Sequence, residues 1–420
     1  MDSDGLRAVG TAMRVGTRVF LLCLIGYAFL DAASVRMLPF EQHAYGLVLA
    51  TFGLLAALAL PRMKLQPLAL VFVVSWLSLA VLALIQGLWG NQWEMTYLVG
   101  DFGVLMMPIL LFLACGFGHD DEPSMFANIR VLDAIGYALF FAAIFAYLFG
   151  RDAELKGRYE PPNLFMAAWL VSRVLGTEEK KERAKFLIML MLFGLIAFLS
   201  NERTAILLWA ATLAVMIANL RGRALAVVGG AVAVFALVGI SAIGAMSQSG
   251  DFESRFTKIE GGKDDSLQGR FNEVSDMLGT VSREWGPIEY LVGAGHGATF
   301  KPVLSFPPRN VIDGRVHNIH IGPALMFYRY GLMGLFGWLW WLYLIIRSVP
   351  RVLQPSCGVA ERTMIMAGGL VFMNSFLRNT FVDPVSCFAV AGLFHLHLVR
   401  YRQPALTAAS AEEPVPASTA

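Results

Sequence analysis

Charge is scarce in this chain, and cysteine scarcer. Only 15% of the 420 residues are Asp, Glu, Lys or Arg, and four are cysteine. So few charges cannot coat a water-soluble domain of this length, which excludes an ordinary soluble enzyme or a disordered chain. Cys23, Cys115, Cys357 and Cys387 fall in apolar runs or in a connection between them. None lies in the one long polar stretch, so neither a disulfide framework nor a cysteine metal site is indicated. The chain also lacks a surplus of one sign, with 33 basic against 31 acidic residues and a formal net charge of +2. The net charge says little by itself, but the long polar stretch over 246–320 holds 8 basic and 10 acidic residues, so it is no nucleic-acid or anionic-lipid patch. Two further features are missing: the alternating ten-residue segments of a membrane barrel and any internal repeat.

What fills the chain instead is apolar sequence. Hydrophobic residues make up 57% and the mean hydropathy is +0.60. A helix needs about 20 mostly apolar residues to cross a bilayer. About twelve runs qualify, near 19–37, 45–61, 68–87, 97–117, 131–150, 163–176, 186–200, 204–220, 224–245, 321–346, 363–377 and 383–400. The expected fold is therefore all-α: a polytopic membrane protein of about 12 transmembrane helices. The first run is read as a retained helix rather than a cleaved signal peptide.

Positive charge supplies the orientation. With the N-terminus inside, the inner segments collect Arg7, Arg14, Arg18, Arg62, Lys64, Arg130, Lys180, Lys181, Arg183, Lys185, Arg221, Arg223, Arg347, Arg351, Arg362, Arg400 and Arg402. The short outer turns hold only Arg36, Arg151, Lys156, Arg158, Arg203 and Arg378. That asymmetry sets both termini in the cytoplasm and residues 246–320 on the outer face.

Four regions follow: a helix bundle over 1–245 (about nine helices), an outer loop over 246–320, helices 10–12 over 321–402, and a tail over 403–420. The tail is small, contains proline and is expected to be disordered. Within the loop, Phe271, Val274, Met277, Leu278, Val281 and Trp285 recur at helical spacing, which predicts one amphipathic helix over 270–285, ended by Gly286-Pro287. Residues 293–297 read as a turn and 302–314 as an irregular stretch.

The residues able to carry chemistry gather at the outer boundary. Arg203 follows an apolar run, where an outer turn has little use for a cation beyond binding an anion or pairing with Glu202. Arg158 sits on another outer turn and is open to a loop-stabilising role. Arg270 stands at the expected start of the loop helix, where the N-terminal N–H groups favour an anion. His317 and His320 lie three apart where the loop re-enters the membrane, a spacing that could also hold zinc, although no third ligand completes it. Arg329 falls about 12 Å into the next apolar run at 1.5 Å per residue. A charge there is costly and marks either a functional site or a pair with Asp101 or Asp31. Two arginine forks and a histidine at lipid head-group level suit one chemistry: holding a lipid diphosphate, while the histidine takes a proton from an acceptor hydroxyl.

At this point the chain resembles the O-antigen ligase and polymerase superfamily of bacterial membrane glycosyltransferases. The matching motifs are Gly157-Arg158 with Pro162-Asn163, the turn Arg203-Thr204-Ala205, Gly269-Arg270, the run Val-Gly-Ala-Gly-His-Gly over 292–297, and His317-Asn318 followed by Tyr330-Gly331 and Gly334. The resemblance implies a GT-C-like helical architecture, location in the inner membrane and an active site at the periplasmic face. It implies metal-independent, inverting transfer of a glycan from undecaprenyl diphosphate, with no cofactor. Carried over, Arg203 and Arg270, with Arg158, bind the donor diphosphate, and His317 acts at the acceptor. Asn318, His320 and Arg329 are accessory. The chain departs from the pattern at Arg329, where many members have an acidic residue, and at His320, where an aromatic is common. The expected acceptor is lipid A core, as for a ligase. The alternatives are a polymerase extending a polyprenyl-linked chain and, more distantly, a transporter or flippase.

Overall fold

The computed structural model describes residues 26, 53, 67–89, 95–116, 124–149, 162–199, 203–220, 265–304, 311–312, 314–317, 319–376 and 384–399. Apart from residues 26 and 53, the expected helices at 19–37, 45–61 and 224–245 lie outside these residues, as does the tail.

The described chain is almost entirely helical. It runs α1 (Pro67–Trp89), α2 (Met95–Gly116), a single 3-10 turn (Met125–Ala127), α3 (Ile129–Phe149), α4 (Pro162–Gly176), α5 (Lys180–Leu199) and α6 (Arg203–Asn219). After the loop segment come α7 (Asp265–Glu284), α8 (Pro287–Val292), a hairpin of β1 (Val311–Ile312) and β2 (Arg315–Val316), then α9 (Gly322–Val352), α10 (Val359–Ser375) and α11 (Pro384–Leu398). Three of these, α1, the Tyr97–Gly116 part of α2, and α9, are long and apolar enough to cross a membrane.

The bundle is built around α4 and α11, which are apolar nearly all round and so have no face to offer water. Leu164, Phe165, Trp169 and Leu170 of α4 pack against α3, α5 and α10. Every residue from Pro384 to Leu398 is buried, chiefly against α2 and α10. Two charged groups in this layer, Asp133 and Arg362, are hydrogen-bonded. The Trp169 indole donates to Asp133 Oδ1 at 2.9 Å, and Arg173 Nε reaches the same oxygen at 2.8 Å. Arg362 is buried and donates to the carbonyls of Val352 (3.4 Å) and Gln354 (3.0 Å), capping the end of α9.

A second, smaller core belongs to the segment between α6 and α9. Met277 and Val281 of α7, Ala298, Phe300, Val316 and Ile319 enclose it together with Leu325 and Tyr328 of α9. The amphipathic helix is thus present, as its spacing predicts, and starts at Asp265. Gly286-Pro287 ends it but also opens α8, with Gly286 as N-cap and Pro287 in the first turn, where its missing N–H costs nothing. The stretch expected to be irregular, 302–314, holds β1 of the hairpin, and β2 lies just beyond it: Val311 pairs with Val316 and Ile312 with Arg315.

α9 is not one straight helix. Gly331 has φ 60° and ψ −151°, which breaks it between Tyr330 and Leu332. Residues 332–352 alone span about 31 Å, enough to cross the bilayer. Residues 322–330 precede the break; Leu325 and Tyr328 pack in the smaller core, and Met326 and Tyr330 in the larger one.

Candidate functional site

The break at Gly331 creates the site. Interrupting a helix leaves carbonyls on its last turn without intrahelical donors. Those of Tyr328 and Arg329 accept from Ala294 N (2.9 Å) and Gly295 N (3.0 Å) of the glycine-rich run. The same run reaches α1, where His296 N donates to Ala83 O at 2.9 Å, and α2, where Gly297 N donates to Asp101 Oδ2 at 2.8 Å. Expected as a simple turn, 293–297 is therefore a strap inserted between three helices. It fits only because side chains are missing on both sides. A Cβ on Gly87 would stand 2.3 Å from the His296 carbonyl, and one on Gly295 would stand 2.4 Å from Gly87 N. Gly293, Gly295 and Gly297 all have positive φ, from 75° to 85°.

Where the strap meets α2 and α9, three ionisable side chains converge. Arg329 Nη1 lies 2.6 Å from Asp101 Oδ1. Arg329 Nη2 lies 2.9 Å from His317 Nε2, and that nitrogen is 3.3 Å from Asp101 Oδ1. His317 Nδ1 faces Ala298 O at 3.2 Å. Tyr97 lies flat on the imidazole, with centroids 3.9 Å apart and planes 2° from parallel. The Arg329 and Asp101 side chains are 3% and 5% exposed and that of His317 is 14% exposed. A carboxylate so withdrawn from water is tolerable only when paired and hydrogen-bonded, which the guanidinium and the Gly297 N–H together provide.

His296 lies beside this cluster and is fully buried. Its Nε2 faces Ala80 O at 3.3 Å, while its Nδ1 has no hydrogen-bond partner. Burial is the main cause that lowers its pKa to about 4, helped by the charge of Arg329 and opposed by that of Asp101. It is a neutral packing histidine between Phe102 and Tyr330.

Set against the sequence expectations, the structure joins His317 and Arg329 and selects Asp101 as the arginine's partner. His320 is separate: it is half-exposed and bound to Glu273 through Nδ1 (2.9 Å) and its backbone N (3.2 Å). Arg270 is partly buried on α7 and engaged by a neighbouring group. Because α7 starts five residues before it, Arg270 does not stand at the helix's first turn, and the N-terminal dipole gives no support for an anion there. Arg203 opens α6, its side chain outside the described residues. Arg158 and Asn318 also lie outside them. Asp101 itself carried a signal in the sequence: it is a lone carboxylate inside an apolar run, which by default marks a site. Tyr97 and the carbonyl of Ala298 carried none.

Helix α1, the 332–352 part of α9 and α11 line an open apolar groove of about 580 Å³, bordered among others by Phe72, Trp76, Phe336, Trp340 and Phe394. Leu291 of α8 also lines it, and its backbone abuts Gly331. No protein-family model matches the chain, and no curated protein sequence matches it.

Proposed function

We propose that this membrane protein is a metal-independent, inverting glycosyltransferase, which moves a glycan from undecaprenyl diphosphate to an acceptor hydroxyl, with lipid A core as the acceptor. About twelve helices would sit in the bacterial inner membrane with both termini cytoplasmic and 246–320 periplasmic. The ordered motifs from Gly157-Arg158 to Gly334 support the assignment of class. One structural observation carries it furthest. His317 lies where the outer loop is strapped to the membrane helices, oriented by Tyr97, Asp101 and Arg329. That seam is where a lipid-anchored diphosphate and a hydroxyl at head-group level would meet.

In this reading Arg203 and Arg270, with Arg158, hold the diphosphate through bidentate contacts and stabilise the charge that develops as it leaves. His317 takes the proton of the attacking hydroxyl. Attack opposite the departing diphosphate inverts the anomeric centre.

The test is product analysis with purified protein and a purified lipid-linked glycan donor, offered lipid A core and a second lipid-linked glycan in competition. Glycosylated lipid A core is the expected product. A lengthened lipid-linked chain instead would make the protein a polymerase, and movement of intact donor across the bilayer without transfer would make it a flippase.

A further inference from the structure

Arg329 and Asp101 meet at one nitrogen of His317. A protein guanidinium stays protonated and has only donors. Its approach to 2.9 Å therefore requires His317 Nε2 to be an acceptor, without a proton of its own. The ring proton must then sit on Nδ1, and Ala298 O is placed 3.2 Å away to accept it. The hydrogen-bond network thus assigns a neutral, Nδ1-protonated imidazole. Asp101 does not need the ring in this state, since Oδ1 takes Arg329 Nη1 and Oδ2 takes the Gly297 N–H.

The same geometry already holds a second arrangement. Once protonated, Nε2 becomes a donor, and two donors facing at 2.9 Å repel. Asp101 Oδ1, 3.3 Å from Nε2, is then the acceptor in reach. The parallel stack of Tyr97 keeps the ring plane in place while the partner changes.

We propose that Asp101 and Arg329 are positioning residues for His317. Arg329 keeps Nε2 as the proton-accepting nitrogen, and Asp101 receives the Nε2–H once the proton has arrived. The inference rests on the glycosyl-transfer reading above. During transfer the acceptor hydroxyl replaces Arg329 Nη2 at Nε2, while Nη1 stays on Asp101. The hydroxyl O–H bond breaks and its proton passes to Nε2. The oxygen's electron pair forms the bond to the anomeric carbon. The bond from that carbon to the diphosphate oxygen breaks, and its electron pair leaves with the diphosphate.

The experiment is 15N spectroscopy of the full chain, labelled at histidine and held in lipid nanodiscs, with the His317 signals identified by their loss in His317→Gln. In the wild type, Nδ1 should carry the proton and Nε2 should not. In Arg329→Met the proton should move to Nε2 and be donated to Asp101. In Asp101→Asn the wild-type tautomer should persist, because Arg329 still donates to Nε2. A wild-type protein with the proton on Nε2 overturns the proposal, whatever its activity. In a transfer assay, Asp101→Asn should lower kcat at least tenfold with the donor KM within twofold. Arg329→Lys, which keeps a donor, should retain more activity than Arg329→Met. An Asp101→Asn enzyme with wild-type kcat overturns the role of Asp101. A wild type that transfers to no acceptor removes the glycosyl-transfer reading and the catalytic half of the proposal with it, while the tautomer result stands on its own.

Discussion

Arg329 Nη1 lies 2.6 Å from Asp101 Oδ1, and this ion pair joins the part of α9 before its break to α2, a helix long and apolar enough to cross a membrane. Both side chains are almost fully removed from water. The pair therefore decides where the loop can sit, because neither charge has another partner of opposite sign in the cluster.

Removing one partner of such a pair strands the other charge in a low-dielectric site, a loss of about 3–5 kcal/mol. Arg329→Ala should lower the thermal midpoint of the purified protein in lipid nanodiscs substantially. The double variant Arg329→Met with Asp101→Leu should recover a large part of that loss, since neither charge is then left alone. A double variant no better than Arg329→Ala would count against the ion pair as the cause.

The helices that hold the strap should be intolerant of a single methyl group at two positions for different reasons. At Gly331 a Cβ meets the Leu291 backbone at 2.5 Å and the backbone has φ 60°, so Gly331→Ala combines strain with a clash. At Gly87, which is helical, Gly87→Ala adds only the clash with the His296 carbonyl at 2.3 Å. Gly314→Ala is the control, with φ 72° but open space around it, and should cost only about 1 kcal/mol. Hydrogen exchange of 293–300 should accelerate in the first two variants and stay near wild type in the third.

His296 should make stability depend on pH. Its folded pKa, about 4, is depressed below the ordinary value of 6.5, so the unfolded chain binds the proton first as pH falls. This contribution is absent above pH 6.5, and it destabilises progressively between pH 6.5 and about 4. The whole effect is roughly 3 kcal/mol. His296→Phe, placed between Phe102 and Tyr330, should flatten that part of the stability–pH curve. A curve of unchanged slope in the variant would assign the effect to another group.

Arg203→Ala and Arg270→Ala should each abolish transfer from a lipid-diphosphate donor while leaving the protein folded in membranes. Activity equal to wild type in either variant dismisses the diphosphate role for that arginine. Neutralising Glu273 by Glu273→Gln, whose carboxylate among the described residues pairs with half-exposed His320, should change stability by less than about 1 kcal/mol and leave transfer intact.

Much of the helical layout was legible because apolar runs of membrane length have only one way to satisfy their backbone. The expected run at 68–87 became Pro67–Trp89, and that at 204–220 became Arg203–Asn219. The loop helix was legible from its 3.6-residue spacing, although its start was misplaced by five residues, because Asp265, Ser266 and Gln268 add no apolar period. The hairpin was missed, since strands of two residues are too short to show alternation.

The site was legible only in part. His317 stood out by its place at the membrane boundary, and Arg329 and Asp101 by being charges inside apolar runs. Composition and periodicity, local properties of the chain, determined by themselves a helical chain with runs long and apolar enough to cross a membrane and one long polar segment between them. What only the tertiary structure decided is which charges meet. Asp101, Gly297, His317 and Arg329 are far apart in sequence, and the break at Gly331 with its strap of glycines brings them within hydrogen-bond distance. No local pattern encodes that encounter, because it depends on backbones approaching so closely that a single Cβ would prevent it.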